Sequence, residues 1–233
     1  MALKVLSCRA SRRAVTGLLG TAIAVTGTAW AAAPARGITA LLAAQYAAWT
    51  PASGDTTPLA TLRAQGLDWG TATARLRPLY DDAHAYAELR GVARLPDGRE
   101  TVGVLRAALY VGGSGGNVLL LNDEWCVQDR CSARTRFVLQ RQGQPDTLLP
   151  EPKLVPLIAD DDLIDGPVPD CLAGVTLGVQ YLPSRYDTTL TALATVPPDV
   201  QATCDDAGIQ VALVTRPLQL NWNAAARKFV RVR

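Results

Sequence analysis

Residues 83–111 read AHAYAELRGVARLPDGRETVGVLRAALYV. Ala85, Ala87, Leu89, Ala93 and Leu95 alternate with His84, Tyr86, Glu88, Arg90 and Arg94. A period of two over that length predicts a β-strand with one apolar face. Pro96-Asp97-Gly98 then makes a turn, because proline presets φ and glycine supplies a positive one. The return strand runs from Thr101 to Val111, so the segment is a hairpin.

Downstream the pattern repeats. Gly112 to Gly116 form a flexible connection to an apolar strand, Val118-Leu119-Leu120-Leu121. A turn between Cys126 and Cys131 follows, then an alternating strand from Arg134 to Gln142. Together these make a four-strand antiparallel meander. Residues 143–152 are polar and proline-containing, the natural break. Beyond them Lys153–Ile158 is a candidate short strand, 160–170 an acidic loop, and Val175 to Tyr181 and Thr188 to Val196 are strands. Pro197-Pro198 opens a short helix carrying Cys204 and stopped by Gly208. Ile209, Val211 and Leu213 then alternate like a strand, and the chain ends in a hairpin from Leu218 to Val232.

Upstream the period is helical. Ile38, Leu41, Leu42, Tyr46 and Trp49 recur at helix spacing, Thr57-Pro58 opens a second helix, and a third runs from Gly70 to Leu76, ending before Pro78. Helices first and strands afterwards, without βαβ alternation, give an α+β fold with mainly antiparallel sheet. The two β regions form either two sheets of one sandwich or two lobes, about 32–145 and 150–233.

Residues 1–31 carry Lys4, Arg9, Arg12 and Arg13 and no acid, then an apolar stretch and the run Ala29-Trp30-Ala31. That describes a secretory signal peptide cut after Ala31. Ser11-Arg12-Arg13 also fits the twin-arginine route. The glycine-broken stretch is too short for a membrane anchor, so the mature chain is expected to lack a transmembrane span and to be periplasmic or secreted, in a bacterial cell. The chain has 23 basic and 21 acidic residues; without the leader 19 basic face 21 acidic, a formal charge of −2. No basic surface for nucleic acid is implied.

Four cysteines follow the leader, Cys126, Cys131, Cys171 and Cys204. An even count behind a signal peptide predicts two disulfides. The expected pairing is Cys126–Cys131 and Cys171–Cys204. A four-cysteine zinc site would want C-x-x-C spacing, which is missing.

Catalytic signatures are few. One histidine, His84, is expected on the polar face of the first strand, and no G-x-S-x-G elbow, Rossmann or P-loop signature occurs. Asp160, Asp161, Asp162 and Asp165 form the densest acidic cluster. It could face a partner or hold calcium; otherwise no cofactor is expected. Asp123-Glu124 or Asp81-Asp82 with that loop could supply a hydrolase pair. Trp125 is expected to pack on the neighbouring disulfide, and Trp222 to join the core. What remains is the expectation of a non-catalytic binding protein for a protein or envelope ligand, an inhibitor or immunity protein of an envelope-acting hydrolase being one form. The acidic loop and the Cys126–Cys131 turn would be its contacts. A carboxylate-dependent hydrolase of glycan or peptidoglycan and a calcium-binding structural module are the alternatives.

Overall fold

A computed structural model describes residues 37–128, 130–141 and 144–232. The expected signal peptide lies outside them. Three short helices come first: α1 (Ile38–Ala48), α2 (Pro58–Ala64) and α3 (Trp69–Arg75). In α1 the buried residues Ile38, Leu42 and Tyr46 recur every four positions, which puts them on one stripe. Thr57 caps α2 by accepting from the Ala60 N–H at 3.3 Å, and Asp68 caps α3 by accepting from Thr71 at 2.8 Å.

The helices cover one face of a six-stranded antiparallel meander. Its strands lie side by side in chain order: β1 (Leu76–Asp81), β2 (Tyr86–Arg94), β3 (Glu100–Tyr110), β4 (Asn117–Val127), β5 (Arg130–Gln140) and β6 (Thr147–Leu149). A four-stranded antiparallel sheet packs on the other face. It has the order β10 (Lys228–Arg231), β9 (Leu218–Asn223), β8 (Thr189–Thr195), β7 (Gly178–Pro183). The architecture is therefore α+β, mostly β, in three layers.

Alternation sorts the core in two. Ala87, Leu89, Leu105, Leu119, Leu121 and Val138 meet the helices at Ile38, Leu42 and Leu62. Tyr86, Tyr110, Val118, Leu120 and Phe137 meet the second sheet at Tyr181, Leu190, Leu220 and Phe229. The two sheets thus share one apolar cluster. Gly91 and Gly103 face each other across β2 and β3. A Cβ on Gly103 would lie 3.0 Å from Pro58 Cδ and 2.5 Å from the Glu124 carbonyl, so the bare backbone is what lets α2 sit directly on the sheet.

Several elements differ from expectation. The third helix ends at Arg75, and residues from Leu76 onward form β1, an extra edge strand. Pro78 is tolerated there because an edge strand leaves one side unpaired. His84 belongs to the turn between β1 and β2 instead of a strand. Strands β4 and β5 run several residues past their apolar segments, and the polar break contains β6. Residues 153–158 form no strand; the 3-10 turn Glu151–Lys153 lets Leu154 and Val155 both point inward, which strict alternation forbids. Val211–Val214 is a helical turn, α6, with Val211 buried and Leu213 exposed. The acidic loop holds a single helical turn, α4 (Asp160–Leu163), anchored by buried Leu163. Helix α5 (Pro198–Asp206) carries Cys204 as expected.

Both disulfides have the expected pairing. Cys126–Cys131 closes the β4–β5 hairpin, with Cα atoms 4.0 Å apart, and Cys171–Cys204 ties the segment before β7 to α5 across 33 residues of sequence. Loop-closure entropy assigns about 4 kcal/mol to the longer loop and about 2 kcal/mol to the shorter. Replacing Cys171 and Cys204 with alanine should therefore lower the urea-unfolding free energy about twice as much as replacing Cys126 and Cys131. Equal losses would show that loop length does not set their stabilising effect.

Candidate functional site

The second sheet covers only part of the six-stranded sheet. Its strands reach the end marked by Ala108, Tyr110 and Val118, and the opposite end of β2–β5 is left open. There the two sheets diverge around a groove of about 1700 Å3. Its floor is the uncovered face of β2, β3 and β4, with the Cys126–Cys131 disulfide at the far side. Val92 and Val102 are directly paired on that floor and are 46% and 52% exposed. The facing wall comes from β7, β8, α5 and α6, including Leu193, Pro197 and Gln201.

A polar ladder marks the boundary between closed core and open groove. Arg106 on β3 lies 3.3 Å from Glu88 and 3.0 Å from Glu124. Arg90 also pairs with Glu88, and Gln180 from the second sheet donates to Glu124. Burial raises the Glu88 carboxyl, but Arg90 and Arg106 outweigh it and hold it below the usual range. Burial, reinforced by Glu88, pushes the neighbouring Tyr86 hydroxyl up to about 12. These charges are spent on each other and on joining the sheets.

The groove's cations are less balanced. Arg75 and Arg77 line it, are exposed, and have no carboxylate at ion-pair distance among the described residues. Arg77 also sits directly opposite Arg90 in the β1–β2 register.

A second charged cluster lies on the helix side. Asp123 is buried and accepts from Arg136 at 3.0 Å and Arg134 at 3.4 Å; Arg134 also donates to Asp55 at 2.9 Å. Arg134 stacks over Trp125, and Arg136 over Trp49. Burial pushes the Asp123 carboxyl up, against the pull of both arginines. This network pins the α1–α2 connection to the β4–β5 hairpin. Trp125 belongs to it, donating to Thr56 at 2.9 Å, and so lies across the strand from Cys126 instead of on its disulfide. Trp222 is half-buried against the second cluster and donates to the Val111 carbonyl at 2.8 Å.

A third cluster clasps the closed end. Asp81 accepts from Arg185 at 2.8 Å and contacts His84 Nδ1 at 2.9 Å, and the His84 ring meets Tyr186 edge-on. Arg185 first, then His84, holds the Asp81 carboxyl at about 2.

The residues expected to act fall out as follows. The Cys126–Cys131 turn lines the groove. The acidic cluster does not converge on one point. Asp160 accepts from the Leu177 N–H at 3.2 Å, and Asp162 from Ala159 at 2.8 Å and Arg231 at 2.6 Å. The Asp161 and Asp162 carbonyls take Arg216, and the Asp165 N–H donates to the Val214 carbonyl. Among the described residues no group of three or more His, Cys, Asp or Glu side chains is placed to hold a metal ion. Asp123 and Glu124 are consecutive on a strand and point to opposite faces, and each is engaged by arginines of neighbouring strands. Asp81 is committed to its clasp, and Asp82 accepts from the Thr39 N–H at 3.3 Å. The groove valines and arginines went unread in the sequence. Their signal was faint: in Val102-Gly103-Val104-Leu105 apolar residues occupy both faces of one strand.

No family model and no curated protein matches the chain. Among solved structures, a domain of an uncharacterized protein from Porphyromonas gingivalis W83 matches over 73% of this chain and 85% of that one, with 12% identity and a TM-score of 0.41.

Two expectations follow from the charged clusters. Among the described residues, Asp123→Ala leaves Arg136 without a carboxylate and Arg134 with Asp55 alone, and should cost about 3 kcal/mol in urea unfolding; a loss below about 1 kcal/mol would show that the network is not a structural pin. The Asp81 clasp contributes stability above the ordinary 3.8 and loses it as pH falls through about 2. Arg185→Ala should move the Asp81 carboxyl midpoint, followed by carbon-detected NMR titration, upward toward 3.8.

Proposed function

We propose that the protein is a non-catalytic exported binding protein that seats a protein or envelope ligand in the groove between its two sheets. The carrying observation is the groove itself, about 1700 Å3 with a floor of exposed valines. Small-molecule sites usually enclose about 300–1,000 Å3, so the space suits part of a macromolecule. The charged side chains elsewhere are largely occupied by one another, whereas the groove presents apolar surface to water, and such surface on a monomer commonly marks an interaction site. Two disulfides fit an oxidising compartment, which supports a periplasmic or secreted setting. No helix among the described residues is long and apolar enough to cross a membrane. An inhibitor or immunity protein of an envelope-acting hydrolase is the concrete form of this reading.

The test is capture from the envelope fraction of the producing cell, with the disulfide-bonded protein immobilised and Val102→Glu as the paired variant. Val102 is 52% exposed, so the variant should melt within about 2 °C of the parent. A discrete envelope component held by the parent and released by the variant is the expected result. Nothing captured, or equal capture by both, would remove the groove as the binding site.

A further inference from the structure

Resting on the groove as the binding site, we propose that its occupant is an extended acidic polypeptide segment with a carboxylate and an aliphatic side chain two residues apart. The first ground is a like-charge pair of which only one member has a carboxylate partner. Arg77 and Arg90 stand directly opposite each other on neighbouring strands, an arrangement that destabilises a sheet when the charges are alike. Arg90 is answered by Glu88. Arg77 has no carboxylate at ion-pair distance among the described residues, and neither has Arg75 beside it. An anion laid between Arg75, Arg77 and Arg90 would relieve that repulsion.

The second ground is the charge of the groove. Arg75, Arg77, Arg90 and Arg216 line it against Glu124 and Asp205, and Glu124 is already taken by Arg106 and Gln180. A basic groove on a chain whose expected mature charge is negative selects for an acidic partner by complementarity.

The third ground is spacing. Along β2, Arg90 and Val92 point to the same face, and Val92 is paired with Val102. Along β2 the floor therefore presents Arg90, flanked by Arg77 on β1, and then Val92, flanked by Val102 on β3, one two-residue repeat apart, roughly 6.6 Å. An extended peptide repeats its side chains at the same interval, so a carboxylate over Arg90, beside Arg77, puts the side chain two residues on over Val92, beside Val102. The floor is aliphatic. The one tryptophan at its margin, Trp125, has its ring held on the helix side by Thr56 and Arg134. Among the described residues that line it, none offers an aromatic face on which a sugar ring would stack, which favours peptide over anionic glycan.

Fluorescence anisotropy on the intact, disulfide-bonded protein tests this, with two labelled pools of roughly ten-residue peptides. One pool alternates Asp or Glu with Val, Ile or Leu; the other replaces the acids with Lys or Arg. The acidic pool should bind saturably and at least about tenfold more tightly than the basic one. Raising salt from about 50 mM to about 0.5 M should weaken it. Arg77→Ala should also weaken it about tenfold without lowering the melting temperature, and Val102→Glu should abolish it. Equal binding of both pools, or acidic binding untouched by Arg77→Ala, would overturn the proposal. So would Arg77-dependent binding of a soluble anionic glycan in place of the peptides, or a concentration-dependent dimer in sedimentation that Val102→Glu disperses. If neither pool binds while the parent still holds an envelope component that Val102→Glu releases, the acidic-peptide inference falls and the groove reading stands. If that capture is absent too, both fall.

Discussion

Strands β3, β4 and β5 are apolar on both faces along the half that carries Ala107–Tyr110, Val118–Leu121 and Phe137–Leu139, and both faces must leave water. A single covering layer cannot do this. At about 25 cal/mol per Å2, exposing either row of leucines would cost more than a small domain can spare. The helices take one face and the second sheet takes the other. The covers are unequal in length, however. The three central strands have 11 residues each, about 37 Å, while β7 and β8 have six and seven, about 20–23 Å. The uncovered remainder is the groove. Its existence follows from a mismatch in strand length and needs no specialised loop.

Polar side chains stand where this mismatch begins. On the face toward the second sheet, Leu120 gives way along β4 to Asn122 and then Glu124, and along β3 Ala108 gives way to Arg106. Arg106 spans Glu88 and Glu124 at that transition, where one side is dry and the other wet. The Asp81–Arg185 pair sits toward the other end, joining the turn after β1 to the turn after β7. Opposite charges bind the sheets at the closed end and at the boundary. The far end carries cations in excess. Placement of charge, as much as of apolar area, decides which end of the sandwich opens.

Most of this layering was legible in the amino-acid order. The switch from helical spacing at Ile38–Tyr46 to alternation after Ala85 places helices before sheet, and proline, glycine and cysteine positions locate the hairpins and both disulfides. Alternation misled where it was broken by design. Leu154 and Val155 both point inward because a 3-10 turn rotates successive side chains by less than a strand does. Val211 and Leu213 look like strand neighbours, yet only one is buried. The extension of β4 through Asn122-Asp123-Glu124 was hidden because polar residues in a strand look like its end; here Arg134, Arg136 and Arg106 from adjacent strands pair with Asp123 and Glu124, and Asn122 donates to Thr135. Long-range pairing of this kind has no local signature. The candidate site was hidden for the same reason. Arg77 and Val102 become neighbours of one groove only through the register of β1, β2 and β3, whereas the acidic run 160–165 drew attention by local density and proves to be tied to its own backbone and Arg231.

The placement of the disulfides completes the picture. At the closed end the hydrophobic clusters hold both sheets in position. At the open end the β4–β5 hairpin extends past its apolar cover on the second-sheet side; β3 pairs with β4 as far as Val127, but β6 reaches only Phe137–Leu139, so the tip of β5 is a sheet edge. The Cys126–Cys131 bridge crosses the hairpin at its tip, and the Asp123 network braces its other face against the α1–α2 connection. Across the groove α5 is short, and its buried Cys204 packs with Leu172 and Val211 in a small apolar cluster, which the Cys171–Cys204 bond reinforces. Each cross-link supplements limited burial, and the Cys126–Cys131 bond borders the groove. A groove pinned in this way would lose little conformational entropy on being occupied, and the Cys126–Cys131 bond holds its open end in one shape.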